Sequence, residues 1–156
     1  MGGRPGGGAG RPWGAVVGRA GSNWDEDGAV AARNVLGAEV KRVAHDERAL
    51  GDTDLVILPG GFSYGDYLRS GAMARFSPVM ESVRNFASEG KFVFGICNGF
   101  QILCECGLLP GALRRTAGLH FICKHVILRV ENQNTPYTNE VVSDKVLYSP
   151  SQPAEG

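Results

Sequence analysis

The 156 residues carry 16 basic and 16 acidic side chains, so the formal charge is zero and nothing predicts a polyanion such as nucleic acid as partner. This length suits one domain with a real core. No apolar run approaches a membrane span and the N-terminus lacks the apolar stretch of a secretory signal, so a soluble cytoplasmic protein is expected.

Residues 1–13 open with a Gly-, Arg- and Pro-rich stretch that has no periodicity and nothing to bury, and they read as a flexible tail. No Gly-x-Gly-x-x-Gly stands in register there, which argues against a nucleotide loop. The folded domain is expected over residues 14–156. Ala15-Val16-Val17 is a short first strand. Ser22 or Asn23 can cap a helix whose positive end is favoured by Asp25, Glu26 and Asp27. Its body, Ala29 to Leu36, should bury Ala29, Ala32 and Leu36, and Gly37 is placed to end it.

Glu39 to Val43 then reads as a second strand and Leu55 to Leu58 as a third, closed by Pro59-Gly60-Gly61. Ser77-Pro78 marks a helix start, a cap followed by Pro in the first turn. Val79, Val83 and Phe86 follow at helical spacing, and Gly90 stops the run. A fourth strand, Phe92 to Ile96, leads into a helix from about Asn98 to Cys106, and Leu119 to Val130 is β-branched and should be extended. Strands alternating with helices predict an α/β fold, a parallel sheet covered on both faces.

Between the fourth strand and its helix lies Gly95-Ile96-Cys97-Asn98-Gly99, the thiol form of a nucleophile elbow. Glycines flank the nucleophile because a Cβ would clash in so tight a bend. The free N–H groups and the dipole at a helix start favour a thiolate and can hold an oxyanion. Cys is also a common small buried residue, and the motif by itself fits both readings. The Leu55–Leu58 strand tips the balance. In an open parallel sheet the strand carboxyl ends share one rim where ligands bind, so the Gly60 and Gly61 amides would stand beside Cys97.

The remaining thiols, Cys104, Cys106 and Cys123, offer no Cys-x-x-Cys pair, so neither a metal site nor a disulfide framework is expected. They read as core or semi-buried residues.

The run Leu58-Pro59-Gly60-Gly61-Phe62-Ser63-Tyr64-Gly65-Asp66-Tyr67-Leu68-Arg69, with Gly95-Ile96-Cys97-Asn98-Gly99-Phe100-Gln101-Ile102-Leu103, resembles one family: the glutamine amidotransferase subunits of phosphoribosylformylglycinamidine synthase, from purine synthesis. Gly-x-Cys-x-Gly-x-Gln fits class I amidotransferases generally, whereas Asn98, Phe100 and the Phe62–Tyr67 run narrow the likeness to this branch. It covers about residues 14–148. It implies a flavodoxin-like open parallel sheet with helices on both faces. Cys97 would attack the side-chain amide carbon of glutamine, and the amides of Asn98, Gly60 and Gly61 would stabilise the oxyanion. Gln101 is expected on the substrate side, with a solvent-facing helix position as the alternative. Ammonia would pass to a synthetase subunit that uses ATP and Mg. No cofactor and no metal are expected on this subunit.

The family completes its triad near the C-terminus with His, one further residue, and Glu. Here Glu155 matches, but Pro153 stands at the histidine's place and has no ionisable group. Loss of general acid–base help costs ~10²–10⁴ in rate. His45, beside Asp46 and Glu47, and His120 and His125, in the late strand region, are weak substitutes. His120 also departs from the family's usual Arg before this Phe. The C-terminal part of the domain is expected to be missing, with a last strand and helix lost from the sheet. A reading-frame shift before Ser149 would account for both features and would make the Glu155 match accidental. Two functions therefore stand side by side: a glutaminase subunit, and an assembly subunit of the same family without turnover.

Overall fold

The computed structural model describes residues 11–18, 25–61, 71–114, 123–141 and 146–151. The chain divides into two compact units, residues 1–113 and 114–156. In the first, β1 (Trp13–Gly18), β2 (Glu39–Ala44), β3 (Leu55–Leu58) and β4 (Phe92–Gly95) form one sheet in the order β2-β1-β3-β4. Every pairing in it is parallel. The intervening helices are α1 (Asp25–Leu36) and α2 (Pro78–Ser88), and α3 (Asn98–Glu105) follows β4.

Strand alternation sorts the core into two layers. Ala15 and Val17 of β1 with Val56 and Leu58 of β3 pack against Val79, Met80 and Val83 of α2 and Ile102 and Leu103 of α3. Their neighbours Val16 and Ile57 point the other way and meet Ala29 and Ala32 of α1. Helices thus cover both faces, as the alternation of elements predicts. β4 follows the same parity. Val93, paired with Val56, packs into the first layer. Phe92 and Phe94 pair with Leu55 and Ile57 on the α1 face and stay exposed.

Two local expectations need correction. Leu36 is exposed, because α1 makes its close approach with Gly28, Ala29 and Ala32. The chain then reverses at Gly37 (φ 62°), where the Ala38 N–H closes onto the Ala32 carbonyl at 3.2 Å, and Ala38 takes the buried position. Ser77 does stand at the N-cap of α2 with Pro78 behind it, but its hydroxyl makes no cap bond. It donates instead to the Ala74 carbonyl at 2.8 Å, closing the 3₁₀ turn Ala74–Phe76.

In the second unit β5 (Lys124–Leu128) pairs antiparallel with β6 (Leu147–Ser151), Ile127 opposite Tyr148. The extended region expected from Leu119 starts only at Lys124 among the described residues. Among those residues no helix is long and apolar enough to cross a membrane.

Candidate active site

Cys97 lies between β4 and α3 with φ 52° and ψ −111°, the one non-glycine at positive φ among the described residues. Such a conformation costs of order 1–3 kcal/mol and persists only when its surroundings over-determine it. The surroundings here are two glycines. A Cβ on Gly95 would sit 2.8 Å from the Gly99 carbonyl carbon and oxygen and 2.7 Å from Leu103 Cδ1. On Gly99 it would sit 1.9 Å from the Leu58 carbonyl oxygen. Both positions of the motif are therefore glycine by steric necessity. The bend is closed by the Gly99 N–H donating to the Ile96 carbonyl at 2.8 Å.

The nucleophile candidate is exposed, and it is the N-cap of α3, its carbonyl accepting the Gln101 N–H at 3.2 Å. Its thiol therefore stands at the positive end of the helix dipole. Parallel pairing sets Gly95 opposite Leu58, and the Ile96 N–H donates to the Leu58 carbonyl at 3.0 Å. Gly60 and Gly61, with Gly61 at φ 129°, begin two residues beyond that pair. The elbow and the Pro-Gly-Gly turn thus leave adjacent strands at one rim, as anticipated.

Asn98 is buried, and its Nδ2 donates to Gln101 Oε1 at 3.0 Å. Gln101 is half-buried and tied to the elbow through this bond. This side-chain link had no signal in the sequence, since only the backbone amide of Asn98 was expected to matter.

His45 ends up far from the thiol. It follows β2, three strand spacings from β4, or ~14 Å at the usual separation. His125 lies in β5 of the second unit. His120, Pro153, Glu155 and the Phe62–Arg69 run lie outside the described residues. Cys104 and Cys106 are half-buried, and burial is the chief cause that raises both thiol pKa values. Glu105 adds to the rise at both thiols, while the charge of Arg84 and its hydrogen bond oppose it at Cys106. Cys123, just before β5, is exposed, where a core or semi-buried thiol was expected. No three His, Cys, Asp or Glu side chains among the described residues converge as a metal set. An open hollow of about 450 Å³ lies at the β1–β2 end of the rim, lined by Gly18, Asp25, Arg42 and Glu47, and does not include Cys97.

Residues 11–151 match the CobB/CobQ-like glutamine amidotransferase domain. The chain belongs to this glutamine amidotransferase family. Similar chains include the phosphoribosylformylglycinamidine synthase subunit PurQ of Salinibacter ruber, 57% identical over 136 residues, with 87% of this chain and 58% of that protein covered. The PurQ subunit from Synechococcus sp. (strain JA-2-3B'a(2-13)) is 53% identical over 148 residues, 95% of this chain and 65% of that one. The amidotransferase chain thus spans about three fifths of the length of these relatives. Among solved structures, that of PurLQS from Thermotoga maritima matches with a TM-score of 0.86 and 44% identity over 94% of this chain and 68% of that one. The flavodoxin-like amidotransferase sheet expected from the sequence is therefore the observed fold, within the described residues.

Proposed function

We propose that this chain is the glutaminase subunit of a phosphoribosylformylglycinamidine synthase, acting in the cytoplasm beside a synthetase subunit that binds ATP and Mg. Residues 14–156 are read as belonging to one amidotransferase domain. The observation that carries the proposal is Cys97 itself, exposed, at positive φ, and capping α3 at a rim it shares with the Gly60-Gly61 turn. Relatives named as PurQ subunits supply the particular synthase.

The Cys97 thiolate attacks the side-chain amide carbon of glutamine, and the carbonyl π electrons move onto oxygen. Backbone amides of Asn98, Gly60 and Gly61 are the donors proposed for that oxyanion. The leaving nitrogen takes up the proton that the thiol gave up. Collapse then re-forms the carbonyl, breaks the C–N bond to release ammonia, and leaves a γ-glutamyl thioester. Water then cleaves the C–S bond to give glutamate and free thiol. Gln101, held by Asn98, contacts the substrate. Free ammonia in water becomes ammonium, which is no nucleophile, and this is the physical reason to deliver it directly to a synthetase.

Pro153 favours a second reading, an assembly subunit of the same family that does not turn over, in which Glu155 has no imidazole to orient. Glutamate release in the presence of a synthetase subunit, with Cys97→Ala as control, separates the two. Release abolished by Cys97→Ala supports the glutaminase. Binding of the synthetase without release supports the assembly subunit.

A further inference from the structure

We propose that Arg75 is a positioning residue for the nucleophile, fixing the far end of α3 so that the Cys97 elbow at its near end keeps its geometry. This rests on the reading of Cys97 given above. The helix is short, eight residues, so it moves as one rod. Its last turn carries no basic residue and ends on Glu105, an acid at the negative end of the dipole and so of the wrong sign. The Glu105 side chain is only 6% exposed, so water does little to stabilise that carboxylate.

Arg75, in the 3₁₀ turn thirty residues upstream, supplies what the helix lacks. Its Nη1 lies 3.7 Å from Glu105 Oε2 and 3.4 Å from the Glu105 backbone oxygen. One guanidinium nitrogen therefore balances the carboxylate and caps the helix end. The guanidinium also stands 4.6 Å from the centre of the Phe76 ring, which restricts where it can reach. Arg75 Nε is buried without a hydrogen-bond acceptor among the described residues, a loss that the contact with Glu105 has to outweigh.

A second anchor acts one turn earlier. Gly71 has φ 80°, and a Cβ there would stand 2.9 Å from the Ile102 nitrogen and 3.0 Å from its Cα. Residues 71–76 thus grip α3 at Ile102 and at Glu105, while Gly95, Gly99 and Leu58 wedge its first turn. A strained backbone such as that of Cys97 holds only while both ends are fixed. Releasing one end lets the elbow relax.

The test uses the full chain, with and without its synthetase, as Arg75→Gln and Arg75→Lys. Iodoacetamide alkylation of Cys97 is timed against that of Cys123 in the same folded molecule, and kcat and KM are measured for glutamate release. Arg75→Gln should slow Cys97 alkylation and kcat about tenfold with KM nearly unchanged, since small misplacements of a nucleophile are costly. Cys123 should react as before. Arg75→Lys keeps the charge but not the fork, and should slow Cys97 alkylation to a smaller degree; it carries the test if Arg75→Gln does not fold. Lower thermal stability with unchanged Cys97 alkylation in the folded variant overturns the proposal. The alkylation arm needs no turnover. An unaltered chain that releases no glutamate therefore counts against the functional reading and not against Arg75.

Discussion

Gly99 presses its backbone so closely on the Leu58 carbonyl that no side chain fits between them. This contact joins the first turn of α3, the helix that Cys97 caps, to the end of the strand that runs on into Gly60 and Gly61. The elbow and the turn share one rim because β3 and β4 are parallel neighbours, and they stay in close register there because Gly99 has no Cβ.

Gly99→Ala should therefore be poorly tolerated. A carbonyl cannot yield as a flexible side chain can, so β3 or α3 must shift, at a cost of about 1–3 kcal/mol or more. Gly14→Ala is the control, since its Cβ would meet Val40 Cγ2 at an ordinary 3.7 Å. Thermal unfolding of the two variants should show a large loss for Gly99→Ala and a small change for Gly14→Ala. Equal losses would mean that the Leu58 contact is not as tight as described.

Burial holds the thiols of Cys104 and Cys106 protonated to higher pH than in the unfolded chain. The unfolded state then loses these protons first as pH rises. It binds fewer protons than the folded state across that window, so stability falls with increasing pH. The contribution is complete below the ordinary thiol value of 9.0 and is lost as pH climbs through the raised folded values. Urea midpoints measured on either side of that value should fall less in a Cys106→Ala variant than in the parent, each compared with its own midpoint at neutral pH.

Met80 is fully buried between α2 and the sheet, whereas Val35 of α1 is 80% exposed. Met80→Ala should cost about 2–5 kcal/mol through lost transfer energy and the cavity left behind. Val35→Ala should stay within about 0.5 kcal/mol. Denaturant unfolding of both variants gives the comparison, and similar values would place the core elsewhere.

Asn98→Ala removes the bond that holds Gln101, without touching the thiol. The expected result is a raised KM for glutamine, with Cys97 alkylation by a small electrophile close to that of the parent. An unchanged KM would return Gln101 to a purely structural role.

The four strands and three helices described in the first unit were legible because each buried run is bounded by strong local signals: Gly37, Pro59-Gly60-Gly61, Ser77-Pro78 and Gly90. The elbow was legible for the same reason, since its two glycines answer a local steric demand. Leu36 was misjudged because helical spacing says which face a residue lies on but not where the helix leaves the sheet. Ser77 was placed correctly at the helix start, but its hydroxyl donates to Ala74, an acceptor that the helix signal does not reveal. The Arg75–Glu105 pair could not be read at all. It joins positions thirty residues apart, and only the misplaced sign of Glu105 at a helix end hinted that a partner was needed.

If Cys97 is the thiol that meets glutamine, mass spectrometry after treatment with a glutamine-like electrophile will reveal it. A single adduct is expected on the peptide containing Cys97, formed more slowly when glutamine is present and absent from Cys97→Ala. Adducts spread equally over Cys97, Cys104 and Cys123, or an adduct on Cys97 that glutamine does not protect, would contradict it.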